Sequence, residues 1–226
     1  MDTKVILLSG GINSCLAAML AKQDSDIAAL HMTYGQRSAN RDRDCFESIC
    51  QHLDIKQRLM VTMSQISSIG GSGLLDKRIQ LEDALAIGDE IPKSYVPFRN
   101  AQLFSAGVAW AEVIGATKVV AGCVDDHPNY PDNHREFVHV FNQLIRYGAR
   151  EDEIELQAPL MHLKPGEIVR LAHQMEVPLA MTWSCLRSEV SPCGACAGCS
   201  GRAKAFKAVG ADDPLLQEAF EAEGGW

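Results

Sequence analysis

The stretch VILLSGGINSCLAAML, residues 5–20, constrains the fold of this chain more than any other. Val5, Ile6, Leu7 and Leu8 form an unbroken apolar run, the pattern of a strand buried on both faces. Ser9-Gly10-Gly11 breaks the run, and an amphipathic helix is expected over 14–23. A strand buried on both faces needs neighbours in a sheet. The rest of the chain supplies several. Apolar runs at 26–32, 57–63, 118–122 and 153–158 read as strands. Helical patterns at 39–53, 100–114, 135–148 and 166–174 alternate with them. Residues 64–94, with Gly70-Gly71-Ser72-Gly73 inside, read as a long loop of the kind used for lids or binding.

Strands alternating with helices predict an open, mostly parallel sheet covered on both faces. Ligands in such sheets sit beyond the carboxyl ends of the strands, where the winding reverses. The chemistry is therefore expected in the loops 9–14, 33–37, 95–100 and 122–136. With 226 residues, 46% of them hydrophobic, the chain can bury a core as one domain with a small appendage. A formal net charge of −8 speaks against broad electrostatic capture of nucleic acid. No apolar stretch approaches the roughly 18 residues of a membrane span, and residues 1–8 lack the pattern of a secretion signal. A cytoplasmic protein is expected. Most of the basic residues in the groups Arg37, Arg41, Arg43 and Arg202, Lys204, Lys207 read as solvated helix faces. The acidic residues after Lys207 read as a surface helix or partner segment.

Four short motifs carry chemistry. The glycines of Ser9-Gly10-Gly11 let backbone N–H groups approach an anion at a helix N-terminus. The plainer alternative is a tight strand–helix turn. No Lys-Ser/Thr pair stands at P-loop spacing, and the motif is too short for a dinucleotide fingerprint. Cys185, Cys193, Cys196 and Cys199 place four thiols within fifteen residues. Their interlocked C-x-x-C spacing suits structural zinc better than a redox disulfide or an iron–sulfur cluster. The other cysteines, Cys15, Cys45, Cys50 and Cys123, read as small buried hydrophobes. Tyr95-Val96-Pro97-Phe98-Arg99-Asn100 delivers a cation and an amide to a helix start, as an anion clamp or as a simple cap. Residues 125–137, with Asp125, Asp126, Tyr130, Asp132, Glu136 and Phe137, could read a flat heterocycle or be a solvated acidic loop.

Taken in order, these pieces resemble one family. Ser9-Gly10-Gly11 opening a helix, Tyr34-Gly35-Gln36-Arg37, Val96-Pro97-x-Arg99-Asn100, Tyr130-Pro131-Asp132 with Glu136-Phe137, Thr182-Trp183-Ser184-Cys185 and the cysteine knuckle match QueC over residues 4–210. These are the 7-cyano-7-deazaguanine synthases of the PP-loop ATP pyrophosphatase superfamily. The resemblance implies a Rossmann-like sheet over 1–180, a zinc-knuckle segment over 181–210 and an acidic tail over 211–226. It also implies a structural Zn2+, ATP with Mg2+, and a homodimer. The family reaction adenylates the carboxylate of 7-carboxy-7-deazaguanine, forms the amide with ammonia, then adenylates again to release the nitrile.

Carried over by position, Ser9, Gly10, Gly11 and Ser14 should hold the pyrophosphate end of ATP, with Lys164 close by. Tyr34, Gly35, Gln36 and Arg37 should line the nucleotide and acyl site, and Arg99 and Asn100 should face the charged intermediate. Tyr95, Phe98, Asp126, Tyr130, Asp132 and Phe137 should surround the deazaguanine. The chain departs from the family pattern in several places. Asn13 replaces the aspartate of SGGxDS, Phe98 a glycine, His134 an arginine and Pro165 a lysine. A neutral Asn13 cannot act as a base or lend a full charge to Mg2+. That loss should hurt nitrile formation more than the first adenylation. An amide end-point admits an amine other than ammonia. QueC-like proteins occur in antiphage CBASS operons, so the resemblance extends to a protein amine as acceptor, such as the N-terminus of a partner nucleotidyltransferase. The rival within this class is an ordinary synthase making the nitrile for queuosine, and the rival outside it is an inactive module that binds a nucleotide or deazapurine.

Overall fold

The computed structural model describes residues 2–125, 130–150 and 153–216. Five strands form one sheet: β1 (Thr3–Leu7), β2 (Asp26–Thr33), β3 (Gln57–Thr62), β4 (Lys118–Ala121) and β5 (Glu155–Gln157). Their order is β3-β2-β1-β4-β5, and every pairing is parallel. The central strand β1 is covered on both faces, so Val5 and Ile6 are fully buried, and its one buried charge, Lys4, is paired with Asp24 at 2.6 Å. The expected fold class holds: a Rossmann-like, doubly wound parallel sheet.

The helices divide between the two faces. On one, α1 (Ile12–Lys22), α2 (Ala39–His52), α6 (Pro165–Gln174) and α7 (Ala197–Val209) close a core around Ile6, Leu16, Phe46, Ile168 and Phe206. On the other, α3 (Ser64–Ile69), α4 (Arg99–Ile114) and α5 (Arg135–Gly148) close a second core around Val5, Leu30, Phe104, Val119 and Phe141. Two of these helices were not expected. The short α3 lies within the stretch read as loop, and α7 lies within the cysteine segment, where small residues hide its periodicity. Because Ala205 and Phe206 of α7 belong to the first core, residues 181–210 are packed into the main body rather than hung beside it.

Two readings of the C-terminal charges need correction. Arg202 is not on a solvated face: it is buried and paired with Asp213 through contacts of 2.6 and 2.8 Å. Its remaining N–H groups donate to Thr182 and to the Leu179 carbonyl. Asp213 is thus a core anchor. The rest of the tail, from residue 217, lies outside the described residues. Among the described residues no helix is long and apolar enough to cross a membrane.

Candidate active site

Winding reverses beside β1: the chain leaves it for β2 on one side and returns to β4 on the other. A crevice opens at that point, at the carboxyl ends of the strands. The loop Ser9-Gly10-Gly11 sits in it, and Gly11 caps α1. Ser9 and Ser14 share a 3.1 Å hydrogen bond between their hydroxyls, and the Ser14 hydroxyl accepts from the Ser9 N–H at 3.2 Å. Gly10 has φ +91°, and a Cβ there would stand 2.7 Å from the Asp42 carbonyl oxygen of α2. Glycine is required twice over, by conformation and by contact. The Gly10 carbonyl accepts from the Trp183 N–H at 2.9 Å, which ties the loop to the cysteine segment.

Gly122, just past β4, is a site residue that the sequence reading did not assign. A Cβ on it would lie 2.6 Å from the Asn13 carbonyl carbon and the Ser14 nitrogen. The end of β4 therefore touches the first turn of α1, and only glycine permits that approach. A glycine directly after an apolar strand was the available signal.

A cavity of about 570 Å³ lies over these loops, a size ordinary for small-molecule sites. Ser9, Gly11, Asn13, Ser14, Tyr34, Gln36, Arg99, Asn100 and Tyr130 line it together with Asp42. Among the described residues, no side chain hydrogen-bonds the Asn13 amide. Arg99 is held in place by its neighbours: Nη1 donates to the Tyr34 hydroxyl at 3.2 Å, while Nε and Nη2 donate to Asn100 Oδ1. Tyr34 and the nearby Asp132 carboxylate push its already high pKa further up, so it stays charged. Asn100 is fixed in turn by Asp132, whose Oδ2 accepts from the Asn100 N–H at 2.8 Å. Cys123, on the wall beside Arg99, has its thiol pushed up to about 12 by burial, so it stays protonated.

Other expected residues are placed elsewhere. Arg37 does not line the cavity. Its guanidinium donates to the carbonyls of Gly73, Asp76 and Ile79, which organises the 70–80 loop. Gly35 lies against Ser67 of α3. Lys164 is exposed at the start of α6, where its backbone N–H is capped by Glu167. Asp132 supports Asn100 from behind, and Tyr95 and Phe137 are likewise off the cavity wall. Phe98 is exposed, at φ +54° just before α4, where the resemblance implied a glycine. Its ring meets Phe137 edge-on at 6.1 Å. Ser94 and Tyr130 join hydroxyls at 2.7 Å. Asp126 lies outside the described residues. His134 pairs with Asp125 at 3.0 Å.

The four cysteine sulfurs Cys185, Cys193, Cys196 and Cys199 all lie within 4.8 Å of one another. A tetrahedral site with metal–sulfur bonds of about 2.3 Å needs sulfurs separated by about 3.8 Å, so the cluster fits with slight contraction. Backbone N–H groups of Arg187 and Cys193 point at the Cys185 sulfur, and that of Leu186 points at Cys196. Such donors stabilise thiolates. Without metal, the Cys199 thiol donating to Cys196 lowers the Cys196 pKa to about 4. The segment forms one wall of the cavity through Ser184, Cys185 and Leu186.

A doubly wound sheet, a serine–glycine loop at its switch point and a fixed arginine across the cavity suit an enzyme that takes a phosphate-bearing ligand at the carboxyl ends of the strands. The profile described as "Queuosine biosynthesis protein QueC" matches residues 3–210, and the chain belongs to that family. It is 43% identical over 217 residues to a 7-cyano-7-deazaguanine synthase of Chlorobaculum tepidum, covering 95% of this chain and 96% of the relative. A synthase of the same description from Chloroherpeton thalassium is 44% identical over 214 residues, covering 93% and 95%. Among solved structures, the chain is loosely similar to an NH3-dependent NAD synthetase from Campylobacter jejuni. That match has 16% identity and a TM-score of 0.46, and covers 80% of this chain and 66% of the other.

Proposed function

We propose that this chain uses ATP to adenylate the carboxylate of 7-carboxy-7-deazaguanine, releasing pyrophosphate, and then joins the acyl group to an amine and stops at the amide. The substrate follows from relatives more than 40% identical that are described as 7-cyano-7-deazaguanine synthases. The observation that carries the end-point is Asn13, a neutral amide facing the cavity at the helix N-terminus. Adenylation asks for positioning and for stabilisation of departing negative charge. The N–H groups of the 9–14 loop and the fixed Arg99 suit that task. A nitrile asks more, because the amide nitrogen must lose both protons after a second activation. A neutral Asn13 can hydrogen-bond phosphate but takes no proton.

The cysteine cluster holds zinc in this reading. Four thiolates leave no open position for water, so the ion is structural. Magnesium, when bound with ATP, neutralises phosphate charge. The acceptor is ammonia or a primary amine of a protein, including an N-terminus in a defence complex. A secondary amide made from such an amine cannot dehydrate to a nitrile.

The test offers ATP, 7-carboxy-7-deazaguanine and ammonia, then candidate partner proteins, with mass spectrometry of both pools. Pyrophosphate release with accumulation of the amide, or of a protein carrying the acyl-deazaguanine mass, is expected. Asn13→Asp should gain nitrile from ammonia. Efficient nitrile formation by the unaltered chain would return it to the ordinary synthases, and no pyrophosphate release would leave a binding module.

A further inference from the structure

The Asp42 carboxylate is the only one on the cavity wall among the described residues. It stands on the first turn of α2, the turn that packs against Gly10 of the phosphate-facing loop. Its orientation is fixed from one side. Oδ2 accepts from the Ser38 hydroxyl at 2.9 Å and from the Gln36 amide at 3.2 Å. The Gln36 amide is held in turn, its Oε1 accepting from the Tyr34 N–H at 2.9 Å. Among the described residues no donor reaches the other oxygen, Oδ1. One carboxylate oxygen is therefore tied back, and the other, in a residue that lines the cavity, has no hydrogen-bond donor among the described residues.

Of the two cations on the same wall, one is fully committed and the other partly so. Arg202 spends its donors on Asp213, Thr182 and Leu179, while Arg99, tied to Tyr34 and Asn100, keeps one N–H on each terminal nitrogen. A triphosphate entering this cavity meets backbone N–H groups, hydroxyls and the single partly free guanidinium of Arg99, far less positive charge than it carries negative. A divalent cation must bring the rest. Hard cations of this kind are held by one or two carboxylates plus the phosphates themselves. Asn13 offers only a neutral oxygen.

We infer that Asp42, through Oδ1, is the protein carboxylate that holds the divalent cation accompanying ATP, in place of the charge Asn13 lacks. The inference rests on the ATP-dependent reading above but names a residue and a ligand that reading leaves open. Burial raises the Asp42 carboxyl from its ordinary 3.8 to about 6.

The experiment measures Mn2+ binding by electron paramagnetic resonance with the full chain and ATP, for the unaltered protein, Asp42→Asn, and Asp42→Asn combined with Asn13→Asp. Changes to groups that only support a metal ligand typically cost about 10–100-fold in affinity, so losing the ligand itself should weaken ATP-dependent Mn2+ binding at least about tenfold. Binding of ATP in chelator should stay unchanged, and the double variant should recover part of the metal affinity. Unchanged Mn2+ binding in Asp42→Asn overturns the inference. So does an equal loss of metal-free ATP binding, which marks a merely structural residue. These readouts need no acceptor or deazaguanine, so failure of the proposed reaction and failure of this inference are separable.

Discussion

Replacing Asp42 by Asn should stabilise the metal-free protein at neutral pH. In the folded chain, burial raises the carboxyl from an ordinary 3.8 to about 6, against the smaller opposing pull of hydrogen bonds from Ser38 and Gln36. Between those two values the folded state holds a proton that the unfolded state has released. Stability is therefore greatest below pH 3.8, falls as pH rises to about 6, and stays reduced above it. At about 1.4 kcal/mol per pH unit between the two values, ionisation of Asp42 costs roughly 3 kcal/mol at pH 7. An amide removes that cost, and its oxygen can still accept from Ser38 and Gln36. For a chain of this size, about 3 kcal/mol corresponds to a rise in Tm of roughly 6–12 °C. Thermal and urea unfolding of both proteins from pH 4 to 8, with no added divalent metal or nucleotide, reads the difference directly. The gap should be small near pH 4 and reach its plateau above pH 6.5. A gap that vanishes at pH 7, or one that widens toward acid, would refute the argument from burial.

Cys196→Ser should lose about one bound zinc per chain by elemental analysis and lower the unfolding temperature; full metal content in a normally stable variant would contradict a structural site. Gly122→Ala places a methyl group 2.6 Å from the backbone of α1, so a loss of roughly 1–3 kcal/mol is expected. ATP affinity should fall with it, and titration calorimetry alongside denaturation checks both. Arg99→Ala should reduce turnover by about 10²–10³ with far less effect on ATP binding. Equal losses in the two would place Arg99 in binding alone.

Much of the fold was legible because the parallel strands are apolar on both faces, as in Val5–Leu8 and the run ending at Ala121. The glycine turn after β1 and the four-cysteine spacing were equally local signals. What escaped depends on distant partners. The start of α2, Ala39-Asn40-Arg41-Asp42-Arg43-Asp44, reads as a solvated charged face, yet the fold presses Asp42 against Gly10 and into the cavity wall. Arg202 misled for the same reason, since its partner Asp213 lies beyond the end of its own helix. Arg37 belongs to a motif that pointed to the nucleotide, but its guanidinium turns to the 70–80 loop. Helix α7 was hidden because Cys and Gly fill positions that in other helices carry larger apolar residues.

The Arg202–Asp213 pair bears on how far the folded unit extends past the family match. The family match stops at residue 210, and a boundary drawn there would look natural, because Gly210 closes α7 in a left-handed turn. Electrostatically, the unit extends at least three residues further. A chain cut after Gly210 would keep every cysteine and every residue of the cavity wall, but would leave a guanidinium buried without its counter-charge. Stranded charges of that kind cost about 3–5 kcal/mol, a large share of what holds most domains together. The folded unit thus reaches past the recognised family boundary, to Asp213 and to Leu215, which is buried against the cysteine segment.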